Sequence, residues 1–241
     1  MGPAFVAGVA YLDPGNVATN LTASAKYGYL LLWVIVAANL SAWLVQYLSS
    51  KFGIATGKSL PELMGEKLTN RKWRIAYWAQ AQLVAVATDV AEIIGGALAL
   101  NILFALPMMV GGLVTGFFSI AHLSLRERGS EKAFEIVIVL LIGVTAIGFT
   151  SGLFAAPANT HAVLAGLIPH FSGKDSLLLA VSIIGATIMP HAIYAHSALS
   201  CDRSAYRRNV TSKAGLLKAT KWDVSIAMMV AGLVNAGILI V

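Results

Sequence analysis

The sequence predicts an all-α, multi-pass membrane protein, and three observations carry that prediction. Only 12% of the 241 residues are charged while 58% are hydrophobic, against about 25% charged in an ordinary soluble domain. Long stretches lack Asp, Glu, Lys and Arg altogether, and a hydrocarbon core about 30 Å thick is crossed by roughly 20 apolar residues in a helix. Basic residues are concentrated in alternate connections between those stretches, as the orientation rule for membrane helices requires. The same composition excludes a disordered chain, a collagen-like chain and a disulfide scaffold, because apolar content is high, glycine has no repeat and Cys201 is the single cysteine.

Seven spans are expected, at residues 2–25, 28–50, 75–104, 107–125, 136–153, 176–200 and 224–241. The first is read as mature protein and not as a signal peptide: it has no basic leader, and Asp13-Pro14-Gly15 interrupts what would be a uniformly apolar core. Lys51, Lys58, Lys67, Arg71, Lys72 and Arg74 follow span two; Arg126, Arg128 and Lys132 follow span four; Arg203, Arg207, Arg208, Lys213, Lys218 and Lys221 follow span six. These are fifteen of the seventeen basic residues, leaving only Lys26 and Lys174 on the other side. The expected protein therefore lies in the cell membrane with a cytoplasmic amino terminus, and seven spans put its carboxyl terminus outside.

The basic loops carry acids such as Glu62, Glu66, Glu127 and Glu131 and alternate with spans, which argues against a nucleic-acid patch or a dedicated lipid site. Gly53-Ile-Ala-Thr-Gly57-Lys58-Ser59 resembles a phosphate-binding loop but has three residues between its glycines where that motif has four. No nucleotide site is expected, and transport driven directly by ATP is unsupported.

Two spans contain breaks. Asp13-Pro14-Gly15-Asn16 interrupts the first and Met189-Pro190-His191 the sixth. Proline removes an amide donor, and each break frees carbonyls that hydrocarbon cannot satisfy. A carboxylate in mid-span costs several kcal/mol, so Asp13 is a functional candidate by default. Five spans separate the first break from the second, so the two interrupted helices run in opposite directions. Such a pair points to a secondary transporter with its substrate near the membrane midplane. If one repeat is five spans, residues 1–153 form the first repeat, 154–174 an outer loop, and 175–241 the first two spans of an inverted second repeat. That arithmetic carries the expectation of a truncation after the seventh span.

The breaks offer a hard carboxylate at Asp13, an amide oxygen at Asn16, freed carbonyls and the soft thioether of Met189. Calcium and magnesium prefer all-oxygen shells, whereas sulfur adds bonding for softer ions, so this mixture suits manganese or ferrous iron as transported substrate. The alternative for Met189 is packing. His191 and His196 have neither the i, i+4 spacing nor the His-Glu-x-x-His pattern of a zinc hydrolase and are read as proton-handling or structural. Asp89 and Glu92, at i and i+3, share a helix face and serve either as a proton relay or as a buried ion pair. Gly112 with Gly116 and Gly148 with Gly152 are spaced for close helix packing. His122, His161 and His170 fall near span ends or in the outer loop.

Asp13-Pro14-Gly15-Asn16 in span one, together with Ala186-Thr187-Ile188-Met189-Pro190-His191 in span six, resembles the signature pair of the Nramp (natural resistance-associated macrophage protein) family of proton-coupled divalent metal transporters. Ala87-Thr88-Asp89-Val90-Ala91-Glu92 and the continuation from His196 to Arg203 extend the resemblance over essentially the whole chain. It implies a leucine-transporter-type fold of two inverted five-helix repeats with broken helices one and six. It implies a metal site of Asp13, Asn16 and Met189 side chains with the carbonyls of Ala10 and Ala186. It also implies a proton pathway through Asp13, His191, Asp89, Glu92, His196 and Arg203. No cofactor is expected, the coupled ion is the proton, and the expected state is a monomer.

Two other readings keep the fold: transport of an amino acid or organic cation, which Met189 and the lack of a serine at either break oppose, and an inactive fragment or regulatory half. An intramembrane enzyme is not expected, because the sequence pairs no nucleophile with a base and has no closed zinc motif.

Overall fold

The computed structural model describes residues 3–127, 131–155, 159–207 and 212–241. Residue 2 of the first expected span, the loop residues Arg128 and Arg208, and positions 156–158 of the outer loop lie outside the described residues. The regular structure among those described is helical: α1 Pro3–Val9, a 3-10 turn Ala10–Leu12, α2 Pro14–Tyr27, a 3-10 turn Gly28–Leu31, α3 Leu32–Thr56, α4 Leu60–Lys67, α5 Arg71–Phe104, α6 Met108–Glu127, α7 Glu131–Ala155, α8 Thr160–Ala165, α9 Lys174–Thr187, α10 Pro190–Arg207 and α11 Lys213–Ile240. Val6–Thr56, Arg71–Phe104, Lys174–Ala205 and Lys213–Ile240 are long and apolar enough to cross a membrane, and Met108–Ser124 is a shorter apolar helix. The first of these stretches holds two of the expected spans, α1 with α2 and then α3.

Helices outrun the apolar windows where a polar cap starts them early. Asn70 caps α5 by accepting the Lys72 amide at 2.9 Å, so the helix begins before the expected residue 75. Ser212 accepts the Gly215 amide at 3.2 Å, so α11 begins eleven residues before 224. The basic loop after α3 folds into the short helix α4 behind a reciprocal capping box: the Ser59 amide donates to Glu62 Oε2 at 2.7 Å, and the Glu62 amide donates to Ser59 Oγ at 3.4 Å. Hydrogen bonds from Ser59 hold the Glu62 carboxyl below its ordinary range. That cap is fully present above the ordinary glutamate pKa and is lost as pH falls through the depressed value.

Strand-like alternation is nowhere needed, and direction follows from which residues meet. Asn16 of α2 reaches Ala186 at the end of α9, while Ala23, further along α2, shares a buried cluster with Ala180 and Ile183. Rising numbers in α2 therefore meet falling numbers in α9, and the two run antiparallel. On α3, Gln46 meets His196 and Ser50 meets Ser200, so α3 and α10 run parallel. Asn39 meets Met228 and Trp43 meets Ser225, so α11 opposes α3. Since Gln46 also meets Tyr11, α3 folds back along the first span. The broken sixth span thus runs against the broken first span, as the sequence spacing requires.

Small residues set these contacts. One buried cluster joins Ala23, Leu31, Leu32, Ile35, Ala180 and Leu239; a second joins Ala4, Tyr11, Ala42, Val224, Ala227 and Ala231. In lipid, where burial of apolar surface drives little, close backbone approach and dispersion hold helices together. At Gly53 a side chain would fall on the Ser197 carbonyl of α10. Of the expected glycine pairs, Gly116 and Gly148 have open space beside them and a side chain at Gly112 would meet Ile93 at an ordinary 3.6 Å, whereas one at Gly152 would come within 3.1 Å of the Val241 side chain. Helices α5 and α6 approach closely at Gly96, where a side chain would fall on Thr115, and at Gly111, where one would lie 3.0 Å from the Ala97 backbone. Four-residue spacing says that two glycines share a face, not which face meets a neighbour. The large apolar side chains Leu83, Ile102, Met109 and Phe117 point outward, as lipid-facing positions should.

Gly53→Ala should lower thermal stability by roughly 1–3 kcal/mol through overpacking, whereas Gly116→Ala should be neutral or stabilising by up to about 1 kcal/mol of helix propensity. Unfolding of the two detergent-purified variants compares them directly; equal effects would place the α3–α10 contact elsewhere.

Candidate cation site at two helix breaks

The first break is made by its own cap. Asp13 takes an extended conformation, φ −74° and ψ 162°, and its carboxylate accepts the Asn16 amide at 2.9 Å. Pro14 occupies the first helical turn, where its fixed φ fits and its missing N–H is no loss. The second break follows from Pro190: the residue before a proline is disfavoured in helical conformation, and α9 ends at Thr187 with Ile188 at φ −97° and ψ 85° before α10 begins at Pro190.

The two breaks face each other. Asn16 is buried, and its Nδ2 donates to Asp13 Oδ1 at 2.7 Å and to the Ala186 carbonyl at 3.0 Å. Its Oδ1 accepts the Thr187 hydroxyl at 3.0 Å. Ala10 opens the 3-10 turn that ends the first half-helix, and Met189 is buried at the start of the second break's return helix. Two helix carboxyl ends, after α1 and after α9, therefore present carbonyls here, each worth about half a negative charge. The amino ends of α2 and α10 meet at the same breaks and carry about half a positive charge each, so the helix dipoles offset one another and the net negative charge is that of the Asp13 carboxylate. Among the described residues no three His, Cys, Asp or Glu are placed to hold a metal ion together, so a cation here relies on a mixed set of carboxylate, amide, carbonyl and thioether.

The family model described as natural resistance-associated macrophage protein-like matches residues 4–241. This chain belongs to the Nramp family. It is 54% identical over 241 residues to the divalent metal cation transporter MntH of Mycobacterium tuberculosis and 46% identical over 242 residues to that of Bacillus subtilis, covering all of itself and 56% of each. It also resembles a crystal structure of the Eremococcus coleocola manganese transporter in complex with an aromatic bis-isothiourea substituted compound, with a TM-score of 0.86 and 34% identity over 99% of this chain and 50% of that one. The chain spans about half the length of the relatives it matches.

Of the residues expected on a proton pathway, Glu92 is within electrostatic reach of Asp89 and Asp13, and His191 of the same two acids. Four of the six expected residues thus lie around the first break, with Asp89 and Glu92 on the exposed surface of α5. His196 and Arg203 are held separately. His196 is buried, its Nδ1 2.7 Å from Gln46 Oε1, while its buried Nε2 has no hydrogen-bond partner among the described residues. Arg203 Nη1 lies 3.9 Å from Asp223 Oδ2 of α11. Both His196 and Arg203 line a cavity of about 420 Å³ that also reaches Ser50, Ser200 and Asp223.

Sequence reasoning passed over Gln46, Tyr11, Asn20, Asn235 and Thr187. Gln46 Nε2 donates to the Tyr11 hydroxyl at 2.8 Å, Asn235 Nδ2 donates to the Tyr11 carbonyl at 2.8 Å, and Asn20 Nδ2 donates to Asn235 Oδ1 at 3.0 Å. The signal was available: an amide in mid-span needs a partner. Gln46→Leu should leave both Tyr11 and His196 short of a bond, at roughly 1–3 kcal/mol for each buried group. Adding Tyr11→Phe should recover part of the lost melting temperature. A single variant as stable as wild type would show that this link contributes nothing.

Proposed function

We propose that this chain supplies the metal path of a secondary transporter that imports divalent transition-metal ions, manganese or ferrous iron among them, together with protons by alternating access. The observation that carries the reading is the convergence of Asp13, Asn16 and the Ala186 carbonyl across two antiparallel breaks. The cation is held by Asp13, Asn16 and Met189 with the carbonyls of Ala10 and Ala186. The names of the relatives, divalent metal cation transporter and manganese transporter, support that choice of cargo. So does the chemistry, since hard oxygens with one thioether favour a softer ion over calcium.

Alternating access needs an element with two positions. Each interrupted span consists of two half-helices joined by extended residues, so a half can swing without breaking helical hydrogen bonds. Protons follow Asp13, His191, Asp89 and Glu92, with His196 and Arg203 along the cavity that leads from α10. Residues 1–153 form the first repeat and 175–241 open its inverted counterpart across the loop 154–174. The amino terminus and the basic loops face the cytoplasm, since the basic residues gather on that side. The protein works as a monomer in the cell membrane.

Manganese uptake and internal pH, followed together in proteoliposomes under an imposed pH gradient, test the reading. Asp13→Asn should abolish uptake, because it removes the carboxylate that caps the first break and bonds Asn16. Asp89→Asn should bind manganese with near wild-type affinity but lose the accompanying proton movement. Uptake at wild-type rates by Asp13→Asn would move the site elsewhere. Unaltered proton flux in Asp89→Asn would leave that acid a structural role only.

A further inference from the structure

We propose that Thr187 is a positioning residue whose hydroxyl pairs with the buried Asn16 amide in either of two orientations, so that the same side chain closes the two breaks with its nitrogen and, turned over, holds the cation with its oxygen. The inference rests on the cation site proposed above and adds a residue and a motion to it.

The amide orientation is decided by its neighbours. Nδ2 lies 2.7 Å from Asp13 Oδ1 and 3.0 Å from the Ala186 carbonyl, and both of these can only accept. The reverse orientation would set Oδ1 against two acceptors. A cation bound between Asp13 and Ala186 reverses that preference, because an amide N–H₂ cannot ligate a cation and an amide oxygen can. The side chain then turns about its terminal torsion, which is broad and close to two-fold for asparagine. That half-turn carries Nδ2 to the place where Oδ1 now meets Thr187.

Thr187 can serve both orientations without moving its carbon atoms. Its one hydroxyl proton has two acceptors in range, Asn16 Oδ1 at 3.0 Å and the Ile183 carbonyl at 2.7 Å. With the proton on Asn16, the hydroxyl donates to the amide oxygen. With the proton on Ile183, the hydroxyl oxygen accepts from the amide nitrogen. Asn16 and Thr187 are only 1% and 5% exposed, so water is poorly placed to substitute, and an unpaired amide group there is destabilising. Serine retains this two-way hydroxyl; valine, of similar shape, does not.

The test is difference infrared spectroscopy of the full chain in lipid nanodiscs, with asparagine labelled at the side-chain carbonyl carbon and the Asn16 band assigned by its loss in Asn16→Ala. Manganese should move the wild-type band. Thr187→Val should shift the metal-free band upward, through loss of the hydroxyl donor, while leaving the manganese-loaded band at its wild-type position. Thr187→Ser should match wild type in both states. A valine variant that shifts both bands, or neither, overturns the proposal. Should that variant not fold, a wild-type band that manganese fails to move, or a serine variant that departs from wild type, overturns it as well. Calorimetric titration on the same samples separates the two claims: if manganese binding does not depend on Asp13, the cation site falls and this inference with it, whereas Asp13-dependent binding with the wrong band pattern removes only the role of Thr187.

Discussion

The carbonyl groups that two interrupted helices release in mid-membrane impose the constraint on which the rest of this structure depends. Hydrocarbon offers them no partner, and each unpaired group would cost several kcal/mol. The chain meets this by crossing one break over the other, so that the cap of α2 and the end of α9 satisfy each other through Asn16. The crossing is sound only if the two spans run in opposite directions and lie at one depth. Both conditions follow from the packing of the bundle around α3.

Helix α3 acts as the post of that bundle. It lies parallel to α10 and antiparallel to α11, and at Gly53 its backbone touches that of α10. Its Gln46 bridges Tyr11, next to the first break, and His196, beyond the second. A buried polar link of this kind is poor as a source of stability but good at fixing register, because any slip leaves amide, phenol and imidazole unpaired together. Of these residues His196 also lines the cavity that reaches Arg203 and Asp223. The position of the half-helices is therefore tied to one set of hydrogen bonds.

Much of this was legible from residue types alone. Asp13, Pro14, Met189 and Pro190 mark both breaks, because proline and a mid-span carboxylate have few tolerable places in a membrane helix. The opposed directions followed from counting spans, and the fold class from composition. What could not be read was which partner each buried polar side chain finds. Gln46 and Asn235 announce a need for partners, but Tyr11 and His196 are separated from them by up to 224 residues. Nor could spacing say which face of α6 packs, which is why Gly111 and not Gly116 lies against α5. The early starts of α5 and α11 escaped a reading based on apolar length, since a capped helix extends beyond the hydrocarbon it crosses.

A cation lodged between the two breaks is the claim that joins the fold to transport, and the position of the ion tests it most directly. Anomalous X-ray scattering at the manganese edge, from crystals grown with manganese, locates that ion without reference to the protein's own density. One dominant peak is expected within ligand distance of Asp13, Asn16 and Met189, flanked by the carbonyls of Ala10 and Ala186. A dominant peak beside Asp89 and Glu92 on α5, or in the cavity lined by His196 and Arg203, would contradict it.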